Sequence, residues 1–105
     1  MLHQYKKILK NHYYNQNKWN ESIANNIAKK ELINMTSQHW EIIYIVKIFY
    51  CQFKITPSMR MLLTFSQKKM GHKTINSRYL FKLFSENSLI KISKIAGIPK
   101  PNSCL

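Results

Sequence analysis

The residues able to carry covalent chemistry are few and scattered, which narrows the possibilities at once. Cys104 stands next to last in the chain, with no histidine near it in sequence to activate the thiol. A terminal thiol of this kind supports thiol exchange or nothing at all. The residues alone favour the idle terminus, because chain ends are usually without function and a lone exposed cysteine is a weak signal. Cys51 sits in Phe49-Tyr50-Cys51-Gln52-Phe53, where a free cysteine behaves as a small buried hydrophobe. The two cysteines form neither a metal-ligand spacing nor a disulfide framework. Histidines at 3, 12, 39 and 72 are dispersed, and only His39 falls at a helix start, where a neutral capping or packing role fits best. All four acids are glutamates, Glu21, Glu31, Glu41 and Glu86, with no local pair among them. Hydrolysis by paired carboxylates and acid-rich metal sites therefore drop far down the list, and no cofactor or metal is expected.

Arg60 and Arg78 are conspicuous in a chain whose other cations are lysine. Each is expected in the first turn of a helix, where the dipole does not favour a cation, so each is either bridged internally or kept for a partner. The stretch from Pro57 to Phe84 also has the outline of a helix-turn-helix, with Arg78, Tyr79 and Lys82 on the second helix. Against a groove-entering role, Leu80, Phe81, Leu83 and Phe84 read as core. The formal net charge is +13, from 17 basic and 4 acidic residues. Abundant Lys, Asn and Ile suggest a codon bias, so the charge speaks to encounter with acidic partners more than to chemistry.

The elements that must position these groups follow from capping signals and apolar spacing. At 105 residues the chain has the size of one domain, with a core too small for a large internal active site. The first nineteen residues show no helical period and suit short strands or a loop. Asn20 caps a helix to about Lys30, and Thr36 caps the longest, Ser37 to about Phe53, which is apolar on both sides and hence central. Thr56-Pro57 reads as a cap followed by proline at the first helical position of a helix running to about Met70, stopped by Gly71. Asn76 caps Ser77 to Phe84, and Ser88 to Ala96 follows, ended by Gly97. Beyond it, Ile98-Pro99-Lys100-Pro101-Asn102-Ser103-Cys104-Leu105 is an arm that prolines hold extended, with a reach on the order of 20 Å. The longest apolar run, Ile42 to Val46, is ended by Lys47 and is far short of a membrane span. No signal peptide, repeat or linker is evident, and a soluble cytoplasmic protein is expected.

Four segments in order, Trp40-Glu41 with its apolar helix to Phe49-Tyr50, Thr56-Pro57-Ser58-Met59-Arg60-Met61-Leu62, Asn76 to Phe84, and Lys94-Ile95-Ala96-Gly97-Ile98-Pro99-Lys100-Pro101 with the penultimate cysteine, resemble the DsrC/TusE sulfur-carrier family. The resemblance spans about Trp19 to Leu105. It implies a mainly α (α+β) fold, about five helices with a short N-terminal β meander, as one domain over residues 1–105 whose mobile arm, 97–105, bears the working Cys104. Family members that serve sulfite reduction carry a second arm cysteine, at the position held here by Ser93, so the match is to the TusE branch. That branch implies a sulfurtransferase in tRNA wobble-uridine 2-thiolation. A persulfide would be received from a TusBCD-type donor complex and handed to the tRNA 2-thiouridylase, with or without bound tRNA, and no membrane is involved. With the resemblance, Cys104 as a persulfide carrier overtakes the idle tail. Arg60, Arg78, Lys94 and Lys100 are the candidates for partner binding or for positioning the arm. The rivals are a basic helix-turn-helix or RNA-binding module, and a sulfite-reductase-associated carrier.

Overall fold

A computed structural model describes residues 19–71 and 75–101. Among the described residues the helices are α1 (Glu21–Lys30), α2 (Ser37–Phe53), α3 (Met59–Met70), α4 (Ser77–Phe84) and α5 (Ser88–Ala96). No strand occurs among the described residues, and the expected N-terminal meander falls outside them, as does the end of the arm from residue 102. The helix starts follow their caps. Asn20 accepts from the Ile23 amide at 2.9 Å and Asn76 from the Tyr79 amide at 2.9 Å, each satisfying a donor that the helix leaves unpaired.

α2 is the axis of the fold, with every residue from Ile42 to Phe49 buried. α3, α4 and α5 pack on it, and α1 packs on α5. Ala24 and Ala28 of α1, Leu62 of α3, Leu80 and Phe84 of α4, and Ile92, Ile95 and Ala96 of α5 close one core around it. His39 ties α2 to α4. Its Nδ1 faces the Thr36 backbone amide at 3.1 Å, which can only donate, and its Nε2 faces the Leu83 carbonyl at 2.7 Å, which can only accept. The ring is therefore the neutral Nε2–H tautomer, a capping and packing residue.

One boundary differs from the sequence expectation. The N-cap of α3 is Ser58, whose Oγ accepts from the Met61 amide at 3.2 Å; Pro57 precedes the cap and is buried. Thr56, expected as the cap, instead donates its hydroxyl to the Pro99 carbonyl at 2.7 Å. The cap role passed to Ser58 because Thr56 has a tertiary partner that local sequence does not reveal. The helix-turn-helix outline is also not realised as a packed pair. α3 and α4 each pack on α2 rather than closely on one another, and Leu80 and Phe84 are core.

Candidate functional site

A helix leaves its last four carbonyls without intrahelical partners. At the end of α5 all four are taken, and the way they are taken fixes where the arm begins. Gly97, at φ +72, turns the chain so that its amide bonds the Lys94 carbonyl at 3.2 Å and the next amide, Ile98, bonds the Ser93 carbonyl at 3.1 Å. That pairing is the Schellman closure, and Ile98, 7% exposed, supplies the apolar contact that accompanies it. The other two carbonyls receive side chains from elsewhere in the molecule. Trp19 Nε1 donates to the Ile95 carbonyl at 2.7 Å, and Lys47 Nζ to the Ala96 carbonyl at 2.9 Å.

These two residues also hold each other. The Lys47 ammonium lies 3.9 Å from the centre of the Trp19 ring, a cation–π contact inside the protein where water does not compete. Burial pushes the Lys47 amine down to about 8, partly countered by the neighbouring Cys51. A cation here also meets the negative end of the α5 dipole. Trp19 is closed on its other side by the edge of Tyr44, at 5.8 Å between ring centres. Tyr44 donates its hydroxyl to Glu21, and burial followed by that carboxylate raises its phenol well above the ordinary range. Gly97 itself abuts the indole: a Cβ there would stand 2.7 Å from Trp19 Cδ1, so only glycine fits both the turn and the ring. Two residues on, the Thr56 bond to Pro99 completes the seat. The chain is thus held on both sides of Gly97 before it reaches Lys100 and Pro101.

The residues expected to act are not gathered into one site. Cys104 lies outside the described residues, while Lys100 is exposed at the seat's outer edge. Lys94 is exposed and reaches Glu31 at 3.3 Å, bridging α5 to α1 beside the seat. Arg60 and Arg78 are exposed, make no ion pair among the described residues, and line separate recesses. Cys51 is half-buried against the core. Ser93 is 1% exposed, with Oγ donating to the Leu89 carbonyl at 2.9 Å, so that position faces the core. No cluster of three or more metal-ligating side chains occurs among the described residues, nor any helix long and apolar enough to cross a membrane.

Sequence reasoning missed Trp19 and Lys47, and it assigned Thr56 to a cap. One signal was available for Lys47: a single cation interrupting a helix that is apolar on both sides has nowhere to go but inward. Its partner carbonyl, 49 positions away, had no such signal.

A family model described as DsrC like protein matches residues 4–105. The chain is 52% identical over 88 residues to Sulfurtransferase TusE of Buchnera aphidicola subsp. Baizongia pistaciae, covering 83% of this chain and 94% of that protein. To Sulfurtransferase TusE of Sodalis glossinidius it is 42% identical over 87 residues, covering 83% and 81%. The NMR structure of Allochromatium vinosum DsrC shares the fold with a TM-score of 0.77 at 34% identity, over 87% of this chain and 81% of that one.

Proposed function

The chain belongs to the DsrC-like protein family, and from that premise we propose that it is the cysteine-persulfide carrier of a tRNA 2-thiolation relay, with Cys104 as the carrying thiol. The family and the sulfurtransferase relatives support sulfur transfer in general. The reading adds the route: sulfur arrives from a TusBCD-type donor complex and leaves to the tRNA 2-thiouridylase, the carrier being one domain with an arm from Gly97 onward.

Transfer by thiol exchange needs no outside oxidant or reductant. The Cys104 thiolate attacks the outer sulfur of the donor's persulfide; a new S–S bond forms at Cys104, the donor's S–S bond breaks, and the donor departs as thiolate, taking up a proton. Cys104 then holds the sulfur as a persulfide. An acceptor thiolate attacks that outer sulfur in turn and releases Cys104 as thiolate. A cysteine thiol with an ordinary pKa of about 8.5 is mostly protonated at neutral pH, so in this reading the donor's pocket supplies the activation. Lys100 adds positive charge to the arm.

The observation that carries the reading is the seat itself: all four terminal carbonyls of α5 are satisfied and the Pro99 carbonyl is held, so the segment leading to Cys104 starts from a fixed origin. A fixed root lowers the ordering cost of presenting a thiol at a distance to two different proteins. The sulfite-reductase alternative asks for a second thiol at position 93, which here is a buried serine.

The test is intact and peptide mass spectrometry after incubation with a cysteine desulfurase, cysteine and the relay donors. The expected result is a reductant-sensitive gain of one sulfur on the C-terminal peptide that Cys104→Ser abolishes. Sulfur landing on Cys51, or no gain at all, would refute the assignment.

A further inference from the structure

Beside the seat of the arm lies a groove that the carrier chemistry does not use. It has a volume of about 410 Å³ and is lined by Phe49, Phe53, Ile55, Met61 and Phe65, with Arg60, Thr64 and Lys68 along its edge. Phe65 packs edge-on against Phe49 at 5.2 Å and against Phe53 at 6.1 Å, which makes a firm aromatic floor. Phe53, Ile55 and Met61 remain 47%, 49% and 43% exposed, three large apolar side chains open to water in one place. Arg60, Thr64 and Lys68 recur every four residues on α3, so the two cations stand about 12 Å apart along one edge. No acid occurs anywhere from residue 42 to residue 85, a stretch that includes every residue of the groove.

Charge selects the occupant. A second copy of the chain, itself at +13, would be repelled. A nucleic acid has no alkyl side chain to fill a phenyl-lined groove, and ring faces turned edge to face against one another are poor stacking platforms. What fits is a protein surface presenting apolar side chains flanked by carboxylates. Between the two relay proteins, the thiolase must display cations to tRNA phosphates, which would oppose Arg60 and Lys68; the donor has no such requirement. The groove also lies one residue along the chain from the seat, because Ile55 precedes Thr56, the residue bonded to Pro99.

We infer that the groove between the end of α2 and α3, floored by Phe49, Phe53 and Phe65 and edged by Arg60 and Lys68, is the docking surface for an acidic, apolar-bearing face of the persulfide donor. The inference rests on the relay reading for the identity of the donor. Docking there holds the root of the arm beside the donor while the distal thiol enters its active site.

Binding is measured by calorimetric titration of the purified TusBCD-type donor complex with the full chain carrying Cys104→Ser, so that no sulfur moves. Ile55→Asp and Arg60→Glu in that background are each expected to weaken binding by about tenfold or more. Lys30→Glu, the same charge change on a helix that does not pack on the groove, should weaken it by no more than about threefold. In the chain with Cys104 intact, the groove substitutions should slow sulfur gain at low donor and be rescued by saturating donor. Circular dichroism verifies folding, and Phe53→Ser replaces Ile55→Asp if the latter unfolds. Unchanged donor affinity in the groove variants overturns the inference, as does a loss confined to the thiolase or to tRNA. If the unsubstituted chain gains no sulfur while the groove variants still lose the donor, the relay reading fails and the groove stands.

Discussion

Lys47 is a lysine in the least hospitable place of the molecule, 2% exposed on the central helix, and its titration reports on the seat of the arm. Folding lowers its pKa from 10.5 to about 8, because desolvation disfavours the cation. Between those values the unfolded chain keeps a proton that the folded chain has shed, so stability rises with pH across that window. Tyr44 acts in the opposite sense. Its folded pKa is raised above 10.0, so once the unfolded phenol ionises near pH 10 stability falls. Tyr79, raised first by burial and then by Glu41, adds to the fall. Thermal melts from pH 7.5 to 11 should therefore climb from about pH 8 toward 10 and then turn down. Lys47→Met should remove the climb and keep the decline. An equal climb in the variant would show that the buried amine is not its source.

At the level of elements, Thr56 and Ser58 separate positioning of the arm from stability of the helix. Ser58→Ala removes the cap of α3 and should cost about 1 kcal/mol in urea denaturation. Thr56→Val keeps shape and volume but loses the bond to Pro99, and because both ends are reachable by water the cost should stay near 0.5–1 kcal/mol. The two should diverge in function: Thr56→Val slows donor-to-Cys104 transfer several-fold, and Ser58→Ala leaves it within about twofold. Equal effects on transfer would mean that the seat acts only through general stability. The same pair shows what was legible in the sequence. Asn20, Thr36 and Asn76 marked their helix starts because a cap is a local device whose partner lies two or three residues on. Gly71 and Gly97 marked ends for the same reason, a left-handed turn that glycine adopts without strain. At Thr56-Pro57-Ser58 two hydroxyls compete for one cap, and a carbonyl 43 positions away decides between them. The seat was hidden for this reason: Trp19, Lys47 and Thr56 are brought to residues 95–99 only by the packing of α1 and α2 on α5. The family motif drew attention to the segment after Gly97, and the geometry that holds its root became visible only in three dimensions.

Over the whole molecule, three of the four acids are engaged within the fold. Glu21 receives Tyr44, Glu31 receives Lys94, and Glu41 lies close enough to Tyr79 to raise its phenol. The region from residue 42 to 85 is left with eight cations and no acid, and it includes both the docking groove and its approach. Such a field acts over about 8 Å at physiological ionic strength, long enough to orient an incoming acidic partner and too short to hold it once salt is raised. Encounter should therefore depend on salt while the chemical step inside the complex should not. The second-order rate of sulfur gain from the donor is expected to fall about tenfold between 50 and 500 mM salt, and the rate at saturating donor to change by less than about twofold. Rapid-quench mass spectrometry over a series of donor concentrations measures both. A salt-independent second-order rate would mean that the positive field does not steer this encounter, and that the groove's apolar floor alone accounts for recognition.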